Sequence, residues 1–231
     1  MALPRQQRVH NERAVRLAHH AIVLAWLLVG SAARAMGGHF DVDDATVLAP
    51  GRCQIELWAV RGESARALHA GPACRVGPVE LGFVLDRLSN DEERNRVLGT
   101  QLKVATTWLP QLEVGFVVSA LRDTTRDVTL LTAYAPATWL ISESVQLHAN
   151  LGADRFSNRE ATVRIGAAGE WAVDSRVSLL AERLRVFGLI TTRLGVRFAL
   201  GEHASVDLSG ARISGSGSRL WGLGWTWEFG R

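Results

Sequence analysis

From Cys53 to Phe229 the chain alternates apolar and polar residues in segments of about ten, and this period of two narrows its fold more than any other feature. The last segment shows it best. Trp221, Leu223, Trp225, Trp227 and Phe229 fall on one face, with Gly222, Gly224, Thr226 and Glu228 on the other. In the stretch 112–120, Leu112, Val114, Phe116 and Val118 oppose Glu113, Gly115 and Ser119. Val145, Leu147, Ala149 and Leu151 likewise oppose Gln146, His148 and Asn150, and Leu194, Val196 and Phe198 oppose Arg193, Gly195 and Arg197. A helix would mix these sets; a strand separates them.

Twelve such segments can be drawn, at 53–61, 66–76, 79–88, 97–108, 112–121, 127–135, 144–153, 161–169, 176–185, 189–200, 204–212 and 219–229. Their connections alternate in character. One set is short: Gly77-Pro78, 109–111 and 201–203, with 136–143 and 170–175 somewhat longer. The other set is polar: 62–65, 89–96 (SNDEERNR), 122–126, 154–160 and 214–218 (SGSGS). Short turns on one side and longer loops on the other, with an even strand count, are the pattern of a closed antiparallel up-and-down transmembrane β-barrel. Trp108, Trp139 and Trp171 lie in or beside the short-turn set and would form a girdle at one membrane interface. A soluble β-sandwich also alternates, but it hides its apolar faces between two sheets. Here nearly every segment carries Leu, Val, Phe, Trp or Ala on one face, and in hydrocarbon an open sheet edge is not tolerated, so the sheet must close.

With 231 residues, 47% of them hydrophobic and 21% charged, the chain is long enough for one domain and is not disordered. Its pI of about 9.5 comes from one end. Residues 1–35 carry Arg5, Arg8, Arg13, Arg16 and Arg34 against Glu12, and without them the 26 basic and 23 acidic residues fall to 21 and 22. A nucleic-acid partner therefore has no basis in charge. Those residues have the form of a secretory signal peptide: a basic start, an apolar run at Ala21–Gly30, and Ala33 and Ala35 before the cleavage point. The apolar run is too short for a bilayer core of roughly 30 Å, and no later stretch qualifies as a membrane helix. The expected division is thus 1–35 signal peptide, 36–52 periplasmic lead-in and 53–231 outer-membrane barrel.

Cys53 and Cys74 are the only cysteines, in a compartment that permits disulfides. If the first two strands pair around 62–65, facing residues have numbers that sum to 127, as these do, so a cross-strand disulfide is expected. The inward, lumen-lining positions hold Glu56, Glu80, Asp86, Lys103, Glu113, His148, Arg164, Glu182, Arg193, Arg197, Asp207 and Glu228. Mixed signs in a narrow space imply ion pairs across the interior. Eight strands leave a lumen filled by side chains and sixteen to eighteen leave an aqueous channel, so twelve is compatible with a plugged or a narrowly open one. These residues are then either a structural polar core or a lining that sets selectivity.

Catalytic signals are weak. His148 with Asp207 or Glu113 and Ser119 makes a trio only on paper, and no spacing supports it. No phosphate loop or zinc spacing occurs, so neither a metal nor another cofactor is expected. Gly37-Gly38-His39 would bind Cu(II) or Ni(II) only if Gly37 were the first residue, and cleavage after Ala35 leaves Met36 ahead of it. Asp41, Asp43 and Asp44 are expected in a solvated lead-in. The end of the chain resembles the assembly signal of outer-membrane barrels, with Gly224, Trp227 and Phe229 matching its glycine and spaced aromatics. It departs in having Gly222 at a usually polar position and Gly230-Arg231 after the final aromatic. The resemblance implies the barrel-assembly machinery as a partner.

The stretch His39–Trp58 (HFDVDDATVLAPGRCQIELW) resembles the start of a family of outer-membrane barrels named for the meta-pathway of phenol degradation. The matching residues are Asp43-Asp44-Ala45, Pro50-Gly51 and Glu56. That resemblance implies an outer-membrane protein moving small or aromatic compounds, and it carries over no substrate residue. The expected function is a narrow channel or transporter for small solutes, with outer-membrane lipid as its surroundings. The alternatives are a non-conducting barrel acting through its outer loops and, less supported, a barrel-embedded hydrolase.

Overall fold

A computed structural model of the chain describes residues 39–90 and 92–230. The expected signal peptide and Gly37-Gly38 lie outside them. Twelve strands follow in order: β1 Arg52–Gly62, β2 Ala65–Val76, β3 Val79–Asn90, β4 Arg94–Leu109, β5 Leu112–Asp123, β6 Val128–Leu140, β7 Val145–Phe156, β8 Thr162–Ala172, β9 Val177–Val186, β10 Leu189–Ala199, β11 Ala204–Ile213 and β12 Arg219–Gly230. Each pairs antiparallel with its neighbour in sequence, and β1 pairs with β12 over its whole length, from Arg52 opposite Gly230 to Gly62 opposite Leu220. The sheet is a closed barrel, which rules out the sandwich and leaves no free edge. Cys53 stands opposite Cys74 in the β1–β2 register, and the two are joined by a disulfide.

Burial follows the alternation. Along β9, Ser178, Leu180, Glu182 and Leu184 are buried, while Leu179, Ala181, Arg183 and Arg185 are exposed. The outward set forms an apolar band: Phe83, Leu151 and Leu194 are each more than half exposed. Trp108, Trp139 and Trp171 point outward near the rim where β1 begins and β12 ends, which we call the terminal rim. Trp227 and Phe229 join them there on β12.

Two expectations about connections need correction. The polar stretch 89–96 is not a long loop, because β3 runs to Asn90 and β4 starts at Arg94, with Ser89 paired to Arg94. Polar residues above an apolar band still gain from ladder hydrogen bonds, so the hairpins at both rims shrink to short turns. The β9–β10 connection is only Phe187-Gly188, and both have positive φ (51° and 79°), the two-residue turn whose twist matches a hairpin. The stretch 136–143 is not a turn throughout, since β6 continues through Pro136 to Leu140. Proline has no N–H to donate, and the β5–β6 pairing skips from Val114–Ala137 to Val117–Tyr134 around it. Gly115 faces this gap, where a Cβ would lie 3.1 Å from Pro136 Cγ.

Candidate functional site

The expectation of a solvated lead-in is overturned. Residues 39–48 run inside the barrel, with His39, Val42, Asp44, Ala45 and Leu48 buried. Backbone that belongs to no sheet must find other partners when it leaves water, and the inward side chains of the wall supply them. The amides of Asp41 and Val42 both donate to Glu182 Oε2 at 2.9 Å. Asn150 forms a two-way clamp on Asp43, accepting from its amide and donating to its carbonyl, each at 2.8 Å. The Ala45 amide donates to Thr138 Oγ1 and the Leu48 amide to Glu80 Oε2, both at 2.8 Å, and Arg75 donates to the Leu48 carbonyl at 2.9 Å.

Side chains of the segment are held as firmly. Lys103 Nζ lies 2.9 Å from Asp43 and 3.2 Å from Asp44, and Tyr134 donates its hydroxyl to the other Asp43 oxygen at 3.0 Å. Arg193 bridges Asp41 and Glu182 at 3.0 and 3.4 Å, and its guanidinium lies over the Phe40 ring. Val42 packs against Ala168, Leu180 and Leu184, which are apolar residues at inward positions. His39 bonds to Ser209 and rests on glycines: a Cβ at Gly222 would come within 2.6 Å of its ring and one at Gly224 within 2.7 Å.

All twelve candidate lumen residues share the inward parity of their strands. Glu80, Lys103, His148, Glu182, Arg193, Arg197 and Asp207 are buried; Glu56, Asp86, Glu113, Arg164 and Glu228 are partly buried. They divide by partner. Arg197 pairs with Asp207 at 2.7 Å and Glu170 at 3.8 Å within the wall, whereas Arg164 pairs with Asp154 at 3.5 Å and also donates to the Asp41 carbonyl of the segment at 3.1 Å. Asp86 holds His69 at 2.5 Å, and the His69 ring stacks on Trp58 with centroids 4.5 Å apart. Glu80, Lys103, Glu182 and Arg193 instead reach the segment. Glu56, Glu80, Lys103, Arg197 and Glu228 also line a cavity of about 520 Å³ beside it, which extends to Glu202 and His203 in the turn after β10.

The paper trio is not assembled. His148 Nδ1 lies 2.9 Å from Thr138 Oγ1, and Asp207 is engaged by Arg197. Among the described residues no group of three or more His, Cys, Asp or Glu could hold a metal ion. Sequence reasoning missed Tyr134, Thr138, Asn150, Asp154 and Glu170 as site groups. Tyr134 and Asn150 fall at inward positions of drawn segments, while Thr138, Asp154 and Glu170 fall in stretches read as connections that the strands in fact extend through. The apolar inward residues Leu180 and Leu184, flanking Glu182, were the available sign that something greasy lies in the lumen.

Comparison with known proteins agrees with this architecture. The KdgM porin, solved in complex with disordered oligogalacturonate, superposes with a TM-score of 0.67 at 7% identity, covering 76% of this chain and 99% of that one. The NanC porin gives 0.62 at 8% identity, covering 76% and 98%. The COG4313 outer membrane channel from Pseudomonas putida F1 gives 0.59 at 11% identity, covering 83% and 100%. At such identities the likeness is one of fold. No curated protein matches the chain in sequence. A family model described as "Uncharacterised conserved protein UCP029691" matches residues 23–229.

Proposed function

The chain belongs to the family whose model spans residues 23–229, and we propose that it is an outer-membrane channel for small solutes whose lumen is narrowed by its own segment 39–48. The observation that carries this reading is the segment itself, a stretch of non-sheet backbone docked in a closed barrel by inward side chains. The outward band and the tryptophans at the terminal rim support placement in a bilayer, where such rings sit at the interface. The neighbours of like fold are named porins and an outer membrane channel. In this reading the signal peptide is removed after Ala35, the terminal rim faces the periplasm, and the barrel-assembly machinery reads Gly224, Trp227 and Phe229. The cavity of about 520 Å³ is the periplasmic entrance, and the mixed charges of Glu56, Glu80, Lys103, Arg197 and Glu228 set what enters it. Half of the stretch that resembles the meta-pathway family lies in this segment, with Asp43-Asp44-Ala45 at its centre, and an aromatic solute follows from that resemblance alone. Short hairpins at the far rim give little surface for a barrel that acts only through outer loops.

Planar-bilayer recording tests the proposal. The processed chain should show small, infrequent openings, and a variant lacking residues 39–48 should show larger and more persistent ones. Silence from both proteins at all voltages would refute a channel.

A further inference from the structure

We infer that the outward face of the rim opposite the termini is a binding collar for phosphate-bearing lipid of the outer leaflet. The inference rests on the membrane reading above but not on conductance. The strand registers fix which side chains point outward, and every charged one among the described residues is an arginine near this rim. No outward strand position carries Asp or Glu.

Three pairs stand directly opposite one another across neighbouring strands: Arg61 and Arg66, Arg87 and Arg96, and Arg212 and Arg219. All six are exposed, and none has a carboxylate within ion-pair distance among the described residues. Like charges facing each other across a ladder destabilise it. Three such pairs on a face that has no acid to neutralise them call for an anion from outside. Arg94, Arg122, Arg155, Arg183 and Arg185 extend the collar, and of these only Arg122 has an acidic partner among the described residues, Asp127. A guanidinium can meet phosphate oxygens through two parallel N–H donors, and two facing guanidiniums make a clamp.

The surface below fits the rest of a lipid. A hollow of about 1120 Å³ in the wall is lined by Arg61, Arg66, Arg87 and Arg94 together with apolar residues such as Leu68 and Trp221. Charge beside grease is what a phosphorylated headgroup on acyl chains requires, and a free phosphate would have no use for the apolar part. At the terminal rim the outward positions hold Trp108, Trp139, Trp171 and Trp227 and no arginine, so the two ends are chemically distinct.

Native mass spectrometry of the folded barrel in a neutral detergent tests this, with purified lipid A, dephosphorylated lipid A and inorganic phosphate as probes. Lipid A should bind and dephosphorylated lipid A should not. Inorganic phosphate should fail to compete at equal concentration, which assigns the site to the lipid. Replacing the six paired arginines by glutamine should weaken lipid A binding roughly tenfold or more, since glutamine keeps a hydrogen-bond donor but loses the charge that strengthens each contact to phosphate. Equal binding of the two lipids by the unaltered protein would overturn the collar, and that comparison stands even if the sixfold variant does not fold. So would full affinity in a folded variant. Failure of the membrane reading shows earlier and separately, as a processed chain that stays dispersed without detergent.

Discussion

Lys103 is the only lysine in the sequence, and it is the cation that pairs with Asp43 and Asp44 of the lumen segment. Replacing it by methionine keeps the length of the side chain and removes the charge. Two carboxylates, Asp43 and Asp44, then lose the ammonium 2.9 and 3.2 Å away, and the Asp44 side chain is 2% exposed. Removing one partner of a buried charge pair costs about 3–5 kcal/mol. The neighbouring cavity lets some water reach Asp43, so the lower end applies. About 3 kcal/mol is more than a hundredfold in the ratio of docked to released segment. The strands themselves need not open, because the strain is relieved once 39–48 leaves. Lys103→Met should therefore raise open probability in bilayer recordings and expose the segment to protease, while the barrel keeps its heat-dependent gel shift. Adding Asp43→Asn and Asp44→Asn should return both readouts toward the original values, since amides leave no unpaired charge. A Lys103→Met protein as closed and as protected as the parent would refute the reasoning.

Four other outcomes follow from the same geometry. An amine-reactive reagent should label Lys103 slowly in the intact protein and rapidly in a variant lacking 39–48, read on the peptide that contains it by mass spectrometry. Gly222→Ala should displace His39, whose ring would sit 2.6 Å from the new Cβ, and lengthen openings without loss of assembly on a gel. Replacing Cys53 and Cys74 by alanine removes a link across 21 positions and should cost about 3 kcal/mol in urea unfolding, with conductance unchanged. Of the twelve candidate lumen residues seven are acids and four are lysine or arginine, so the pore freed of its segment should prefer cations; a reversal potential of the opposite sign in a salt gradient would contradict this.

The strands were legible because alternation is local. Each segment declares its two faces without reference to the others, and the sum that pairs Cys53 with Cys74 needs only one hairpin. Connections were less legible, because polar residues past the apolar band, such as Ser89 and Arg94, look like loop although their backbones still pair. Pro136 read as a turn because nothing near it in sequence shows that Gly115 on another strand makes room for it. The docked segment was not legible at all. It has no period, its aspartates look solvated, and its partners Glu80, Lys103, Tyr134, Thr138, Asn150 and Glu182 come from β3, β4, β6, β7 and β9. Only closure of the sheet brings them to one place.

That convergence also explains why the inward residues fall into two populations. Arg197 with Asp207 and Glu170, and His69 with Asp86, satisfy one another, so they keep their partners whatever the segment does, while Arg164 holds both Asp154 and the Asp41 carbonyl of the segment. Glu80, Asn150 and Thr138 meet backbone amides of the segment, and Lys103 meets its aspartates. The first group stiffens the wall; the second is complete only while the segment is in place. A lumen built solely for rigidity would need the first group alone, and one built solely for passage would leave the second facing water. Having both gives a wall that survives the departure of its occupant and a set of polar groups ready to receive it again.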